Sequence, residues 1–455
     1  MRGEVSLTQG PIARSLVLFS VPILLSNLFQ QLYNAVDTAV VGRFAGETAL
    51  AAVGSTGSLI NLLIGFFMGL AAGAGILFAM FYGARDHEKL KKLIHCSLLL
   101  SVGAGLFITV IGIVFCRRML LWMNTPQEVL PLARQYLQVY FAGTVINMLY
   151  NVGAGMIRAE GDSRRPLIYL VVGGVTNLVL DVLFVAVFRW GVVGAALATV
   201  LAQTVSAVLT LMRLFRLDAR YRLHLRELRF DRAMCAQLVR VSVPCGLQSS
   251  MFSISNLLVQ AKINSFGAIA MAGVAAYSRI DGFLYMPMMA LSMAITTYVG
   301  QNVGAERYDR VSRGVKICAG LGLAMSASLG MLVAVFCRPL VGLFTTNADA
   351  QAYAHQMMWF LAPWAWTFSV SDVLGGAIRG SGETVPVTVI SALCICVFRV
   401  IWLSVILHVV HDIRVVFFCY PSSWVLSTLC TTLYYFRRSK LRKAILTARR
   451  EKATA

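Results

Sequence analysis

The 455-residue sequence predicts an all-α membrane protein with twelve transmembrane helices in two pseudo-symmetric six-helix bundles. Three observations predict this. First, 58% of the residues are hydrophobic and only 13% are charged, where an average soluble domain is about 25% charged. That composition excludes a soluble enzyme as the default and a disordered chain altogether. Second, the apolar runs are long and lack the alternation of barrel strands, so each satisfies its backbone hydrogen bonds internally as a helix. Third, the chain repeats itself at an offset of 221 or 222 residues.

The expected spans of the first half are 14–42, 49–81, 94–116, 132–158, 164–189 and 191–215. Those of the second half are 236–264, 270–302, 315–336, 355–379, 384–408 and 415–436. Each reaches or exceeds the roughly 20 residues that cross a bilayer. Met1 to Arg14 is too polar for a signal peptide, so the first run is expected to stay as a helix.

The repeat is carried by three motifs in register. Ser20-Val21-Pro22 recurs as Ser242-Val243-Pro244, and Gly83-Ala84-Arg85 as Gly304-Ala305-Glu306. Arg158-Ala-Glu-Gly161-Asp162-Ser163 recurs as Arg379-Gly-Ser-Gly382-Glu383-Thr384. An even number of helices per unit makes both halves run the same way through the membrane. Their symmetry axis then stands along the membrane normal, with a site near the midplane. The expected organisation is an N-lobe at 1–215, a cytoplasmic linker at 216–235, a C-lobe at 236–436 and a basic cytoplasmic tail at 437–455.

Charge sets the orientation. With both termini cytoplasmic, 30 of the 40 Lys and Arg residues fall on the cytoplasmic side and 8 on the other, leaving Arg279 and Arg399 inside spans. Cytoplasmic loops collect basic residues, so the net charge of +20 needs no nucleic acid. The setting expected is the plasma (inner) membrane, with lipid as the surrounding partner. The ten cysteines lie mostly in apolar runs and read as packing; Cys394 and Cys396 make neither a zinc nor a redox motif. His408, His411 and Asp412 are a conceivable local ligand set, although chance clustering in a loop is the plainer reading. No HExxH pair and no phosphate-binding GxxxxGK loop is present. The chain therefore reads as no enzyme, and ATP is not its direct energy source. Repeated lobes argue for a transporter that rocks two bundles; a channel is more often a symmetric oligomer of short chains.

An ionisable group inside the bilayer costs at least about 2.5–3.5 kcal/mol on insertion scales, so each is a functional candidate. In the first span Gln30, Asn34 and Asp37 share one helical stripe. Asn147 and Asn151 in the fourth span are one turn apart, as are Asn177 and Asp181 in the fifth, and the sixth adds Thr199. Brought together, these oxygens suit a hard cation or a proton relay. The amides alternatively serve to join helices. Gly65, Gly69 and Gly73 form a small-residue stripe for close packing. Met286, Met288, Met289 and Met293 offer either an adaptable substrate surface or ordinary packing. Asp281 is two residues from Arg279 and cannot face it on one helix, so a partner on another helix, Arg399, is expected.

The segment Gln31-Leu-Tyr-Asn-Ala-Val-Asp37-Thr-Ala-Val-Val-Gly42, with Gly83-Ala84, Arg158-x-x-Gly161-Asp162 and Gln301-Asn-Val-Gly-Ala305, resembles the MATE (multidrug and toxic compound extrusion) family, most of all its DinF-type branch. The resemblance covers nearly the whole chain. It implies twelve helices in two bundles and antiport of cationic or amphipathic drugs and metabolites against H+ and/or Na+, by alternating access of a single chain. It implies no cofactor and no metal beyond Na+. Asp37, Asn177, Asp181 and Thr199 match that branch's cation or proton site, and Pro22 its first-helix hinge. Gln30, Asn34, Asn147, Asn151, Met286, Met289 and Asp372 are candidates for the substrate cavity. The sodium-coupled branch carries an acid in the seventh span, but here none occurs between Asp231 and Asp281. Asp372 corresponds by the repeat to Asn151, which argues against a C-lobe ion site. Two alternatives remain open: a lipid-linked precursor flippase, expected to need a large cationic cavity, and a membrane-embedded enzyme or enzyme subunit, expected to need a clustered nucleophile or metal triad.

Overall fold

In the computed structural model residues 6–123 and 125–454 are described, and among them the regular structure is helical, with no strand. The first six spans are α1 (Ile12–Phe44), α2 (Glu47–Gly83), α3 (His87–Trp122), α4 (Leu130–Ala142) with α5 (Thr144–Glu160), α6 (Arg164–Asp181) and α7 (Gly191–Phe215). The second six are α8 (Arg232–Asn264), α9 (Ala268–Gly304), α10 (Tyr308–Gly342), α11 (Ala348–Leu361) with α12 (Ala365–Gly380), α13 (Thr384–Ser391) with α14 (Phe398–Val409), and α15 (Ile413–Arg437). A terminal helix, α16 (Lys440–Thr454), comes last. Eight helices among the described residues are individually long and apolar enough to cross a membrane, and Phe67–Gly83 of α2 is a shorter apolar stretch. The fourth and tenth spans are each made of two shorter pieces, and α8 carries a more polar sequence.

The breaks have local causes. The fourth span is interrupted at Gly143, where a Cβ would meet the Val200 side chain of α7. The tenth is interrupted by a 3₁₀ turn at Ala362–Trp364 that holds Pro363, which cannot donate to a continuous helix. These breaks are 221 residues apart at Gly143 and Trp364. The backbone repeats at the same interval: left-handed conformations occur at Gly46 and Gly267, at Arg85 and Glu306, and at Gly161 and Gly382. Helix starts are capped by side chains, as where Asp86 accepts from Lys89 N at 3.0 Å and Asp412 from Arg414 N at 2.8 Å. The fifth span ends in a π turn at Val182–Val187, whereas the eleventh carries one in its middle at Ala392–Val397.

Two compact units partition the chain. One contains Leu25–Gly246; the other joins Ser6–Leu24 to the residues from Leu247 onward. The division therefore falls inside α1 and α8, two to three residues past Pro22 and Pro244, rather than in the linker at 216–235. Specific contacts account for it. Within the second unit, Asn302 Nδ2 donates to Leu7 O at 3.1 Å and Arg307 to Thr8 O at 2.8 Å. Within the first, Gly69 and Gly73 of α2 lie against the backbone of Gly246 and Ser242, leaving no room for a Cβ. Gly69 and Gly73 thus do pack closely, as their spacing suggests.

The linker and the tail are folded segments. Leu217, Tyr221 and Leu223 are buried in the core of the first unit with Leu90, Leu93 and Leu214. The Glu160 carboxylate accepts from Arg213 at 2.9 Å and from the Tyr221 hydroxyl at 3.2 Å. Burial, and after it the charge of Glu160, holds the Tyr221 phenol protonated well above its usual range. In the second unit Glu383 accepts from Tyr434 OH at 2.9 Å and from Ser439 Oγ and Leu441 N at 3.0 Å, so α16 docks through Leu441 and Ile445. On the outer faces Phe107, Val110 and Val114 of α3, and Met331 and Val335 of α10, stand more than 60% exposed. In water such stripes would be an aggregation hazard; their apolar character suits a bilayer.

Candidate functional site

A constellation of polar groups lies within the first unit, at α1, α4, α6 and α7. Asp37 projects from α1 and Asp181 from the last residue of α6, and their carboxyls are within side-chain hydrogen-bonding reach of each other. Asp181 and Asn177, one turn earlier, are each 1% exposed. Asp37 is half-buried, and its Oδ1 is enclosed without a donor. Thr199 of α7 spends its hydroxyl hydrogen on Ala195 O at 3.0 Å and meets the side chain of Tyr33 from α1. The four expected residues therefore stand on three helices of one bundle, and two of the four are in direct contact.

Three aromatic hydroxyls complete the surroundings. Tyr33 lies one turn before Asp37 on the same face of α1 and senses both acids. Tyr136 of α4 senses the same two carboxylates and stacks on Tyr140 with ring centroids 6.4 Å apart. Gln203, one turn after Thr199 on α7, keeps Oε1 buried without a donor. These residues were not among the expected ones, yet each sits four residues from a recognised position or from its own stacking partner. Tyr33 and Gln203 share the helical stripes of Asp37 and Thr199, a signal present in the sequence; nothing in the sequence points to the Tyr136–Tyr140 pair. Oxygen from carboxylate, hydroxyl and amide groups is suited to a proton or a hard monovalent cation.

Hydrogen bonds join the other polar candidates to near neighbours. Gln30 donates to Asn34 Oδ1 at 3.3 Å, so those amides engage each other on the exposed side of α1. Asn151 donates to Asn147 Oδ1 and to its carbonyl oxygen on α5. Met286 is buried and Met289 is 53% exposed on α9. Pro22 lies buried within α1, close to the division between units. In the second unit Asp372 pairs with Arg379 at 3.4 Å beside a small cavity of about 30 Å³ lined also by Gln248, Ser371, Ser391 and Trp424.

One expectation is corrected. Asp281 and Arg399 form no ion pair. Asp281 instead accepts from Tyr277 OH at 3.1 Å, one turn away on α9. Arg399 donates to Ser423 Oγ at 3.0 Å and Asn256 Oδ1 at 3.2 Å, and packs 4.5 Å from the Tyr420 ring centroid. Each polar group found nearer partners. The His408–Asp412 cluster is no ligand set either: among the described residues no group of three His, Cys, Asp or Glu side chains is placed to hold a metal.

Twelve membrane-crossing spans in two repeated bundles, with an acid pair enclosed in one, define a membrane transporter rather than an enzyme. Comparison with known proteins gives the family. The MatE family profile matches twice, at residues 22–183 and 244–404, once in each repeat. The probable multidrug resistance protein YoeA of Bacillus subtilis (strain 168) is 30% identical over 435 residues, covering 93% of each chain. YpnP of the same strain, also described as a probable multidrug resistance protein, is 28% identical and covers 86% of this chain and 88% of its own. The fold matches a MATE crystal structure in the bent conformation with a TM-score of 0.90 at 24% identity, over 99% of both chains. The chain belongs to the MatE family.

Proposed function

We propose that this chain exports cationic or amphipathic drugs and metabolites by secondary antiport, exchanging them for H+ and/or Na+ through alternating access of its two lobes. The observation that carries the reading is the contact between Asp37 and Asp181 across α1 and α6. Two ionised carboxylates about 4 Å apart repel by about 4 kcal/mol at an effective dielectric of 20. A proton shared between them, or a cation bound to both, removes that repulsion, so occupancy and local packing are linked. Asn177 and Thr199 complete the ligand set, and Tyr33 couples it to α1. Ion entry at the pair changes the packing of α1, with Pro22 as the hinge. Coupling arises because ion and substrate favour different states. The names of YoeA and YpnP support a drug-like substrate. The candidates for substrate contact are Gln30, Asn34, Asn147 and Asn151 in the first unit and Met286, Met289 and Asp372 in the second. The chain works as a monomer in the plasma (inner) membrane, both termini cytoplasmic, with no cofactor beyond the coupling ion.

The test is dye efflux from proteoliposomes under imposed Na+ or pH gradients, for the natural chain and for Asp37→Asn. The variant is expected to lose gradient-driven efflux while remaining folded. Unimpaired gradient-dependent efflux from Asp37→Asn refutes the site assignment.

A further inference from the structure

Because the lobes are copies, every residue of the acid site has a counterpart in the second half, and buried positions fix the correspondence. Along α7, buried Val192, Ala196 and Ala202 precede buried Ile413, Phe417 and Ser423 of α15 by 221 residues, which pairs Thr199 with Tyr420. Along α1, buried Leu16, Phe19 and Val41 precede Leu238, Val241 and Ile263 of α8 by 222, which pairs Asn34 with Asn256 and Asp37 with Val259. In the fifth and eleventh spans the offset changes partway. Leu170 and Gly173 precede buried Ser391 and Cys394 by 221, but Asn177, Asp181 and Val185 precede buried Arg399, Leu403 and Leu407 by 222. The π turn at Ala392–Val397 absorbs the extra residue. Val259 and Leu403 therefore stand in place of Asp37 and Asp181, Tyr420 in place of Thr199, and Arg399 in place of Asn177.

Neither acid has a carboxylate counterpart in this lobe, and a fixed cation stands at the counterpart of the neighbouring amide. Arg399 is 3% exposed and, among the described residues, pairs with no carboxylate. Its charge is solvated instead by the Asn256 and Ser423 oxygens and by the face of Tyr420. Neutral oxygens and a π face are the surroundings of a bound monovalent cation, here tethered to the chain.

We propose that Arg399 is a resident cation occupying the C-lobe counterpart of the ion site, so that this lobe holds no exchangeable ion and coupling is confined to the first lobe. The inference rests on reading Asp37–Asp181 as the coupling site. It assigns a new property to the second lobe: with the side chain removed, the vacated pocket becomes a site for free guanidinium.

The experiment is a thermal titration of purified Arg399→Ala protein in lipid nanodiscs with low-millimolar guanidinium chloride, Na+ or K+. The expected result is a lowered Tm that guanidinium raises saturably, with an apparent affinity about tenfold that of either alkali ion, because only a planar fork matches both acceptors. The natural chain shows no such rise. A flat guanidinium titration of the folded variant overturns the proposal. Should Arg399→Ala not fold, Arg399→Lys and Arg399→Gln replace it: Lys, which keeps the charge but not the fork, is expected to lower Tm while keeping most of the efflux, whereas Gln lowers efflux about tenfold, as for a required charge. A Gln variant equal to the natural chain in both overturns the proposal as well. Neither readout involves Asp37, so a flat titration leaves the antiport reading standing, and intact coupling in Asp37→Asn is detected separately.

Discussion

Replacing Glu160 with Ala is expected to release the linker that joins the two repeats. Glu160 is 7% exposed, and its carboxylate holds Arg213 at 2.9 Å and Tyr221 at 3.2 Å. Removing one partner of a buried ion pair costs about 3–5 kcal/mol. The lower end applies here, because Arg213 also reaches the Arg216 carbonyl at 3.3 Å and its side chain keeps 14% of its exposure. About 3 kcal/mol of local destabilisation increases the open population of the linker about a hundredfold. The linker holds Arg216, Arg220, Arg222, Arg226 and Arg229, so limited trypsin digestion reads that population directly. Cleavage between 216 and 229 should accelerate about a hundredfold in Glu160→Ala. It should accelerate only about tenfold in Glu160→Gln, whose amide oxygen still accepts from Arg213 while its NH2 can donate to the Tyr221 oxygen. A Glu160→Ala rate within about twofold of the natural chain refutes the claim that this carboxylate anchors the linker.

The same geometry sets four further outcomes. Gly73→Val places side-chain atoms inside Ser242 and should lower Tm and yield, at a cost of about 1–3 kcal/mol for an overpacked contact, whereas Gly103→Ala, which meets open space, should leave both unchanged. Tyr33→Phe removes the hydroxyl that meets Thr199; efflux should become less steeply dependent on the ion gradient with little change in Tm, as measured in proteoliposomes. Asp281→Asn should keep ion-coupled efflux while lowering thermal stability by about 1 kcal/mol, because its carboxylate accepts a hydrogen bond from Tyr277. Glu383→Ala should detach α16, seen as faster hydrogen exchange over 440–451, because the carboxylate bonds Tyr434, Ser439 and Leu441 at once.

The spans were legible because hydropathy at bilayer length is a strong signal: 164–189 and 191–215 coincide closely with α6, its π turn and α7. The acid pair was legible for a related reason, since a carboxyl in an apolar run is costly and therefore conspicuous. The interruption at Gly143 was not, because glycine is common inside membrane helices and only the nearby Val200 gives this one a purpose. Nor was the division within α1 and α8. It depends on the carbonyls of Leu7 and Thr8 being received by Asn302 and Arg307, residues nearly 300 positions away. Arg399 illustrates the limit most plainly. The sequence shows a buried cation and a buried acid and invites pairing them, but Tyr277 lies one turn from Asp281 and Ser423 and Asn256 lie beside Arg399. Local geometry, which composition does not report, decided the partners.

The widened turn at Ala392–Val397 has a consequence for how the two halves could diverge. Each residue added to a helix rotates the downstream side chains by about 100° around its axis. A surplus residue would therefore turn a different column of side chains inward unless a widened turn took it up; here the turn does so, and Arg399, Leu403 and Leu407 keep the buried face that Asn177, Asp181 and Val185 hold in the other half. A duplicated gene can in this way absorb a single-codon insertion without turning the rod, so the two halves differ in which side chains occupy the inward column and not in which column faces inward.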